Sequence, residues 1–240
     1  MQYVETIEYK GHEISIYQDE TVESPVDTYD MLGKMVCSHS RYNLGHVQVE
    51  DGMDGWYDHL ASEHDLVYRN DWYPEEHGKV EYEDYVQKWV EANLIILPLY
   101  LYDHSGITMN TKGFHCQWDS GQVGFVYVSK QKAKEEWKWN KLSKKRVEKI
   151  RDILRSEVQT YDHYLTGSVY GYSIEGDHSE DSCWGYYGSS YDENSDWEYM
   201  IQCAKDNIDA GIKHDRKSHF EQLKDWIKNK VPLVHRHAMA

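Results

Sequence analysis

Asp103, His104 and Ser105 follow a strongly apolar run directly and carry the residue types a hydrolase uses as orienting acid, base and nucleophile. Adjacent residues on a strand point to opposite faces, so this triplet cannot form a triad by itself. It reads as well as a polar turn in which Asp103 caps backbone N–H groups. A second group follows: His115, Cys116, Trp118, Asp119 and Ser120, where Asp119 is a candidate general base or metal-binding carboxylate. Gly121 and Gly124 let the backbone come close to a neighbouring strand or a phosphate. The stretch lacks the Lys and the following helix of a P-loop, the chain has no GxSxG elbow, and a bulge accounts for the glycines equally. The candidate functional surface is therefore Asp103, His104, Ser105, His115, Trp118, Asp119 and Ser120.

Cys37, His39, His46, His115, Cys116 and Cys183 are metal-ligand types, but no pair has the CxxC or HxxxH spacing that marks a site. The cysteines read as readily as small buried apolar residues. No metal and no cofactor are expected. Tyr164, Trp184 and Tyr186 are candidates for stacking on a ligand ring, although such aromatics are more often core and turn.

The elements that must hold these groups are two buried strands, Leu94 to Tyr102 and Val123 to Val128, whose runs of Ile, Val, Leu and Tyr are bounded by Asp and Gly. They are expected to be adjacent, with the polar groups at one end. Upstream, Tyr3 to Ile7 and Glu13 to Tyr17 alternate around Lys10-Gly11, a hairpin signal. A helix is expected near Trp56 to His64. Glu81 to Ala92 puts Tyr82, Tyr85, Val86, Trp89 and Val90 on one helical stripe. Lys130 to Trp139 is a short basic helix or turn. Ser143 is a good N-cap for Lys144 to His163, with Val147, Ile150, Leu154, Val158 and Tyr161 buried and Gly167 ending it. Ser168 to Glu175 and Asp181 to Tyr187 read as a strand pair joined by the GDHSE turn. Two C-terminal helices follow, one to Ile208 and one from Asp215 to Lys228. The fold class is α+β, a largely antiparallel central sheet with flanking helices and a C-terminal helical segment. Residues 1–190 are expected as the core domain and 191–240 as helices packed on it or extending from it.

The totals narrow the function class. The net charge is -16, with 42 acidic against 26 basic side chains, so attraction of nucleic acid to the whole surface is not expected. Basic residues gather in two helical segments, Ser129 to Tyr161 and from Gly211 onward. The 21 Tyr and 9 Trp against 3 Phe make the aromatic surface amphipathic, which suits wet interfaces and hydrogen-bonded cores alike. No run approaches the roughly 18 apolar residues that cross a bilayer, so no membrane partner is expected. The start alternates like a strand, without the basic and apolar regions of a secretory signal, and the four cysteines form no framework. A cytoplasmic protein with reduced thiols is expected.

Four segments, SPVDTYDMLGKMVCSHSRYNLGH, LPLYLYDHSGITMNTKGFHCQWDSGQVGFVYVSK, SEVQTYDHYLTGSVYGYSIE and DSCWGYYG, together resemble a family of proteins carried by bacteriophages and other mobile elements. The resemblance runs from about Ile14 to the C-terminal helices. It implies an accessory protein of a phage or mobile element, placed in the cytoplasm of the host bacterium and directed at host takeover or evasion of host defences. It implies no activity, cofactor or catalytic residue.

Two readings follow. In the first, the chain binds and inhibits a host defence or nucleic-acid-processing protein through an acidic, Tyr-rich surface, imitating nucleic acid on one face. In the second, it binds a small nucleotide or hydrolyses a substrate in a polar pocket around Asp103, His104, His115 and Asp119. The balance leans away from an enzyme, and a homo-oligomer stays open. Convergence of the polar groups on one concave pocket favours the second; their use in hydrogen bonds to turns favours the first.

Overall fold

The computed structural model describes residues 1–64, 66, 79–116, 118–175, 181–192 and 195–230. The GDHSE turn and the side chain of Tyr82 lie outside the described residues. The chain is α+β, with two mostly antiparallel sheets rather than a single central one. By contacts it divides into two compact units, Met1–Val22 with Gly167–Ala240, and Glu23–Thr166. This division falls at other places than the expected 1–190 and 191–240, because the N-terminal hairpin pairs with strands from the far end of the chain.

The first unit is built on a sheet of order β1-β2-β8-β9: β1 (Gln2–Tyr9), β2 (His12–Gln18), β8 (Val169–Glu175) and β9 (Asp181–Tyr187). All three pairings are antiparallel. Lys10 and Gly11 both adopt positive φ, 51° and 81°, the two-residue turn whose twist matches a hairpin. One sheet face buries Ile14, Ile16, Tyr172 and Ile174 against Trp197, Met200, Ala204 and Ile208 of the last helix. That helix, α6, runs unbroken from Trp197 to Lys230, where two helices were expected. Ala210-Gly211 does not break it, since one Gly inside a helix costs only about 1 kcal/mol.

The second unit holds a sheet of order β4-β3-β7-β5-β6: β3 (Lys34–Cys37), β4 (Val47–Gln48), β5 (Leu94–Asp103), β6 (Ile107–Asn110) and β7 (Ser120–Ser129). Among the described residues of this sheet only β3 with β4 is parallel. The expected neighbours β5 and β7 pair along nearly their whole length. Helix α5 (Lys144–Leu165) covers one face, placing Ile150, Leu154 and Val158 among Met35, Ile95, Val126 and Val128. Helices α2 (Met53–Glu63) and α3 (Lys79–Asn93) cover the other, with Trp56, Leu60, Val86 and Val90 against Val36, Leu94 and Tyr127. Burial on both faces is why these strands read as unbroken apolar runs rather than as alternation. Further helices among the described residues are a single turn, α1 (Pro25–Thr28), and α4 (Lys130–Glu136). Ser143 caps α5 as expected, its hydroxyl accepting the Arg146 N–H at 3.4 Å, and Gly167 follows with φ +72°. Gly124 lies where β7 passes β3: a Cβ there would stand 2.0 Å from the Val36 carbonyl oxygen, so the glycine serves a strand contact.

Candidate functional site

The end of β5 and the start of β7 bring four of the expected residues together in the second unit. The Asp103 N–H donates to the Asp119 carbonyl at 2.8 Å. The Asp103 carboxylate pairs with the Arg41 guanidinium and accepts from the Tyr42 hydroxyl at 3.3 Å. His104 Nδ1 lies 3.4 Å from Asp119 Oδ2, which also accepts from the Cys116 thiol at 3.7 Å. The Ser120 hydroxyl donates to the Cys116 carbonyl. Ser105 and Gly106 form the turn into β6, with φ of 58° and 156°, closed by the His104 N–H on the Gly106 carbonyl at 3.0 Å. His115 and Trp118 project outward, Trp118 being 94% exposed.

These bonds close on one another. The carboxylates hold the two loops in place, and His104 is partnered by Asp119 rather than by its neighbour Asp103. The two cavities described in this unit lie elsewhere. One, of about 130 Å³, is lined by Ser38, Val49, Trp56 and Gln122; the other, of about 410 Å³, by Tyr29, Asp30, Lys149 and Glu157. Arg41 and Tyr42 escape a reading of the sequence, because nothing local links them to Asp103, which lies 62 residues on from Arg41.

Among the described residues no three His, Cys, Asp or Glu side chains stand together as metal ligands. His46 Nδ1 accepts the Met35 N–H at 3.0 Å, and His39 Nδ1 accepts from Arg41 and Tyr42. Burial pushes the Cys37 thiol up to about 12, far from the thiolate a metal needs. Cys183 belongs to the other unit.

The three stacking candidates also part. Tyr164, in the second unit, stacks on Tyr161 with centroids 6.0 Å apart. In the first unit Tyr186 packs toward α6, 6.1 Å from Tyr172 and 6.2 Å from Tyr199. Tyr172 lies deeper still; burial pushes its hydroxyl up to about 12, and it accepts from Asn207 at 2.8 Å. Only Trp184 lies on the sheet face that α6 leaves uncovered.

That face of the first unit is ordered in cross-strand rows. Glu8, Glu13 and Glu175 are successive direct partners across β1, β2 and β8, and all three are exposed. Thr6, Ser15, Ser173 and Ser182 form the next row across all four strands, with the Thr6 and Ser15 hydroxyl oxygens 3.2 Å apart. The third row is Tyr3, Tyr17, Gly171 and Trp184. Ring centroids lie 5.9 Å apart for Tyr3 and Tyr17, and 6.2 Å for Tyr17 and Trp184. The indole of Trp184 lies over Gly171, where an added Cβ would sit 2.2 Å from it. None of the four strands contains Lys or Arg. The alternation Glu13, Ser15, Tyr17 against Ile14 and Ile16 is visible in the sequence; the register that stacks like on like is not.

No protein-family model, curated protein or solved structure matches the chain.

Proposed function

We propose that this chain is a phage or mobile-element accessory protein that acts by binding. It inhibits a host defence or nucleic-acid-processing protein through the acidic, Tyr-rich face of the β1-β2-β8-β9 sheet. The observation that carries the reading is the row of Glu8, Glu13 and Glu175 beside the row of Tyr3, Tyr17 and Trp184, on strands without a basic residue. Like charges directly opposite one another destabilise a sheet, so the row is a cost to the fold that a partner's basic surface offsets. Tyr and Trp beside it supply large, rigid contact area with polar tips, the composition of binding hot spots. Such a face imitates nucleic acid locally while the basic segments stand elsewhere in the chain. The polar groups at the β5–β7 end support the same choice, being spent on one another and on turns rather than converging on a pocket.

The test is affinity capture from host lysate, with and without nuclease treatment. A protein partner that survives nuclease treatment and high dilution, and whose capture falls at least about tenfold with Glu8→Lys/Glu13→Lys, supports the reading. Capture that vanishes with nuclease, or that ignores both substitutions, overturns it.

A further inference from the structure

Helix α6 is longer than its sheet. Its first turns, Trp197 to Ile208, fill the core of the first unit, and Ile212 is the last side chain packed against that core. Beyond it the helix continues for five turns with its apolar residues in water: Phe220 is 57% exposed, Leu223 43% and Trp226 56%. At 3.6 residues per turn these three share one face with Ile227. Three large exposed hydrophobics within seven residues of one helix are a patch rather than scatter.

The charges beside this stripe are mostly basic. From Gly211 to Lys230 there are six Lys or Arg against three Asp or Glu, in a chain whose net charge is -16. Lys213, Lys217, Lys224 and Lys228 follow one border of the stripe, and the Lys224 ammonium lies 4.6 Å from the Phe220 ring centroid. Glu221, ion-paired to Lys224 at 3.0 Å, and Asp225 lie beyond that border, and Asp215 lies at the other edge of the stripe. Arg216, His219 and Lys230 interrupt the apolar face itself.

We propose that this half of α6 docks on an anionic phospholipid surface, lying in the plane of the headgroups. The interrupting cations decide between occupants. Pairing with a second copy would bury Arg216 and Lys230 in an apolar seam, where unpaired charge is costly. At headgroup depth their stems lie along the acyl boundary while the charged ends reach lipid phosphates. Four lysines along one border of an apolar stripe give the helix the composition of a surface-bound segment. No described helix is long and apolar enough to cross a membrane, so the contact is with one leaflet. The acidic remainder of the chain is screened beyond about 8–10 Å at physiological salt, which leaves the helix's own charge to act. The expectation of no membrane partner rested on the lack of a spanning run, which bears on crossing a bilayer and not on lying at its surface.

Co-flotation of the full chain with vesicles tests it. With phosphatidylglycerol in phosphatidylcholine, at physiological salt, at least about tenfold more protein should float than with phosphatidylcholine alone, and salt near about 1 M should remove the difference. Phe220→Ser/Trp226→Ser should abolish flotation, and Lys217→Gln/Lys224→Gln should reduce it several-fold, with circular dichroism showing both variants folded. No flotation with phosphatidylglycerol vesicles overturns the proposal, as does flotation that the first variant leaves intact. A dimer in sedimentation that this variant abolishes, without flotation of the parent, assigns the face to a second copy instead.

Discussion

Glu13 of β2 and Glu175 of β8 are direct cross-strand partners, both exposed, with Glu8 opposite Glu13 on its other side. Repulsion between like charges in this position costs roughly 0.2–1 kcal/mol per pair relative to neutral side chains. Glu13→Gln should therefore raise stability by about 0.2–1 kcal/mol in urea unfolding, more at low salt, while weakening partner capture. A gain in stability joined to a loss of binding is the signature of a residue kept for a surface. Lower stability in Glu13→Gln would show that the carboxylate serves the fold.

Val126 is fully buried in β7, the middle strand of its sheet, and faces α5. Val126→Asp places a charge there without a partner, a cost of several kcal/mol or more, comparable with the whole stability of a domain. The variant should be insoluble or lack a cooperative melt. Val126→Ala should melt cooperatively, with stability lowered by about 1–3 kcal/mol.

The elements of the second unit were legible because its signals are local. Ser143 at a helix start, Gly167 past its end, and apolar runs bounded by Asp and Gly each state one element's limits. Two kinds of information are not local. The pairing of β2 with β8 joins residues such as Ser15 and Ser173 that are far apart in the chain, so one expected sheet became two. The same blindness hid the glutamate row, which exists only once the register is set. At the polar edge, Asp103, His104, Asp119 and Ser120 were correctly placed together as strand-end groups. Arg41 was invisible, since a salt bridge between distant loops leaves no trace in spacing. The continuity of α6 through Gly211 was misjudged for a different reason: propensity is a weak guide beside the cooperativity of a long helix.

Lys145 and Lys149 are both exposed on α5, as the helical spacing requires, but they are not equivalent. The Lys149 ammonium lies 5.7 Å from the Trp137 ring centroid and 5.9 Å from that of Trp139. Lys145→Glu should change stability by less than about 0.5 kcal/mol. Lys149→Glu loses attraction to two indoles, about 0.5–1 kcal/mol at an exposed site. Paired thermal or urea melts resolve the difference.

Asp103 and Asp119 should likewise separate. Asp103 is well shielded and held by Arg41 and Tyr42, whereas Asp119 is more open, with His104 Nδ1 3.4 Å away and the Cys116 thiol donating to it. Asp103→Ala should cost about 0.5–1.5 kcal/mol, the net worth of hydrogen bonds whose Arg41 donor is open to water, and Asp119→Ala under about 0.5 kcal/mol. Because the proposed interface is the other unit's sheet, neither should alter capture of the partner in proportion to its fraction folded. Capture lost in Asp119→Ala at full stability would move the interface to this edge.

Glu157 gives a test by pH. Its carboxylate accepts the Leu32 N–H at 2.6 Å and the Gly33 N–H at 2.9 Å, fixing the approach to β3. Burial raises its pKa above the ordinary carboxylate value, and the two N–H donors, which favour the charged form, offset this only in part. A carboxyl whose folded pKa is raised binds its proton more tightly in the native state than in the unfolded chain. Its contribution is therefore fully present below the unfolded value, about 4.3, and is lost as pH rises through the folded value. Glu157→Gln keeps one acceptor but turns an amide toward the second N–H, so it should cost about 1–3 kcal/mol at low pH. The gap between parent and variant should narrow as pH rises, because only the parent carries the falling titration. Urea midpoints for both proteins, measured from about pH 4 upward, give the slope. A gap that widens with pH would mean the two N–H bonds outweigh burial, and that Glu157 is held as the anion.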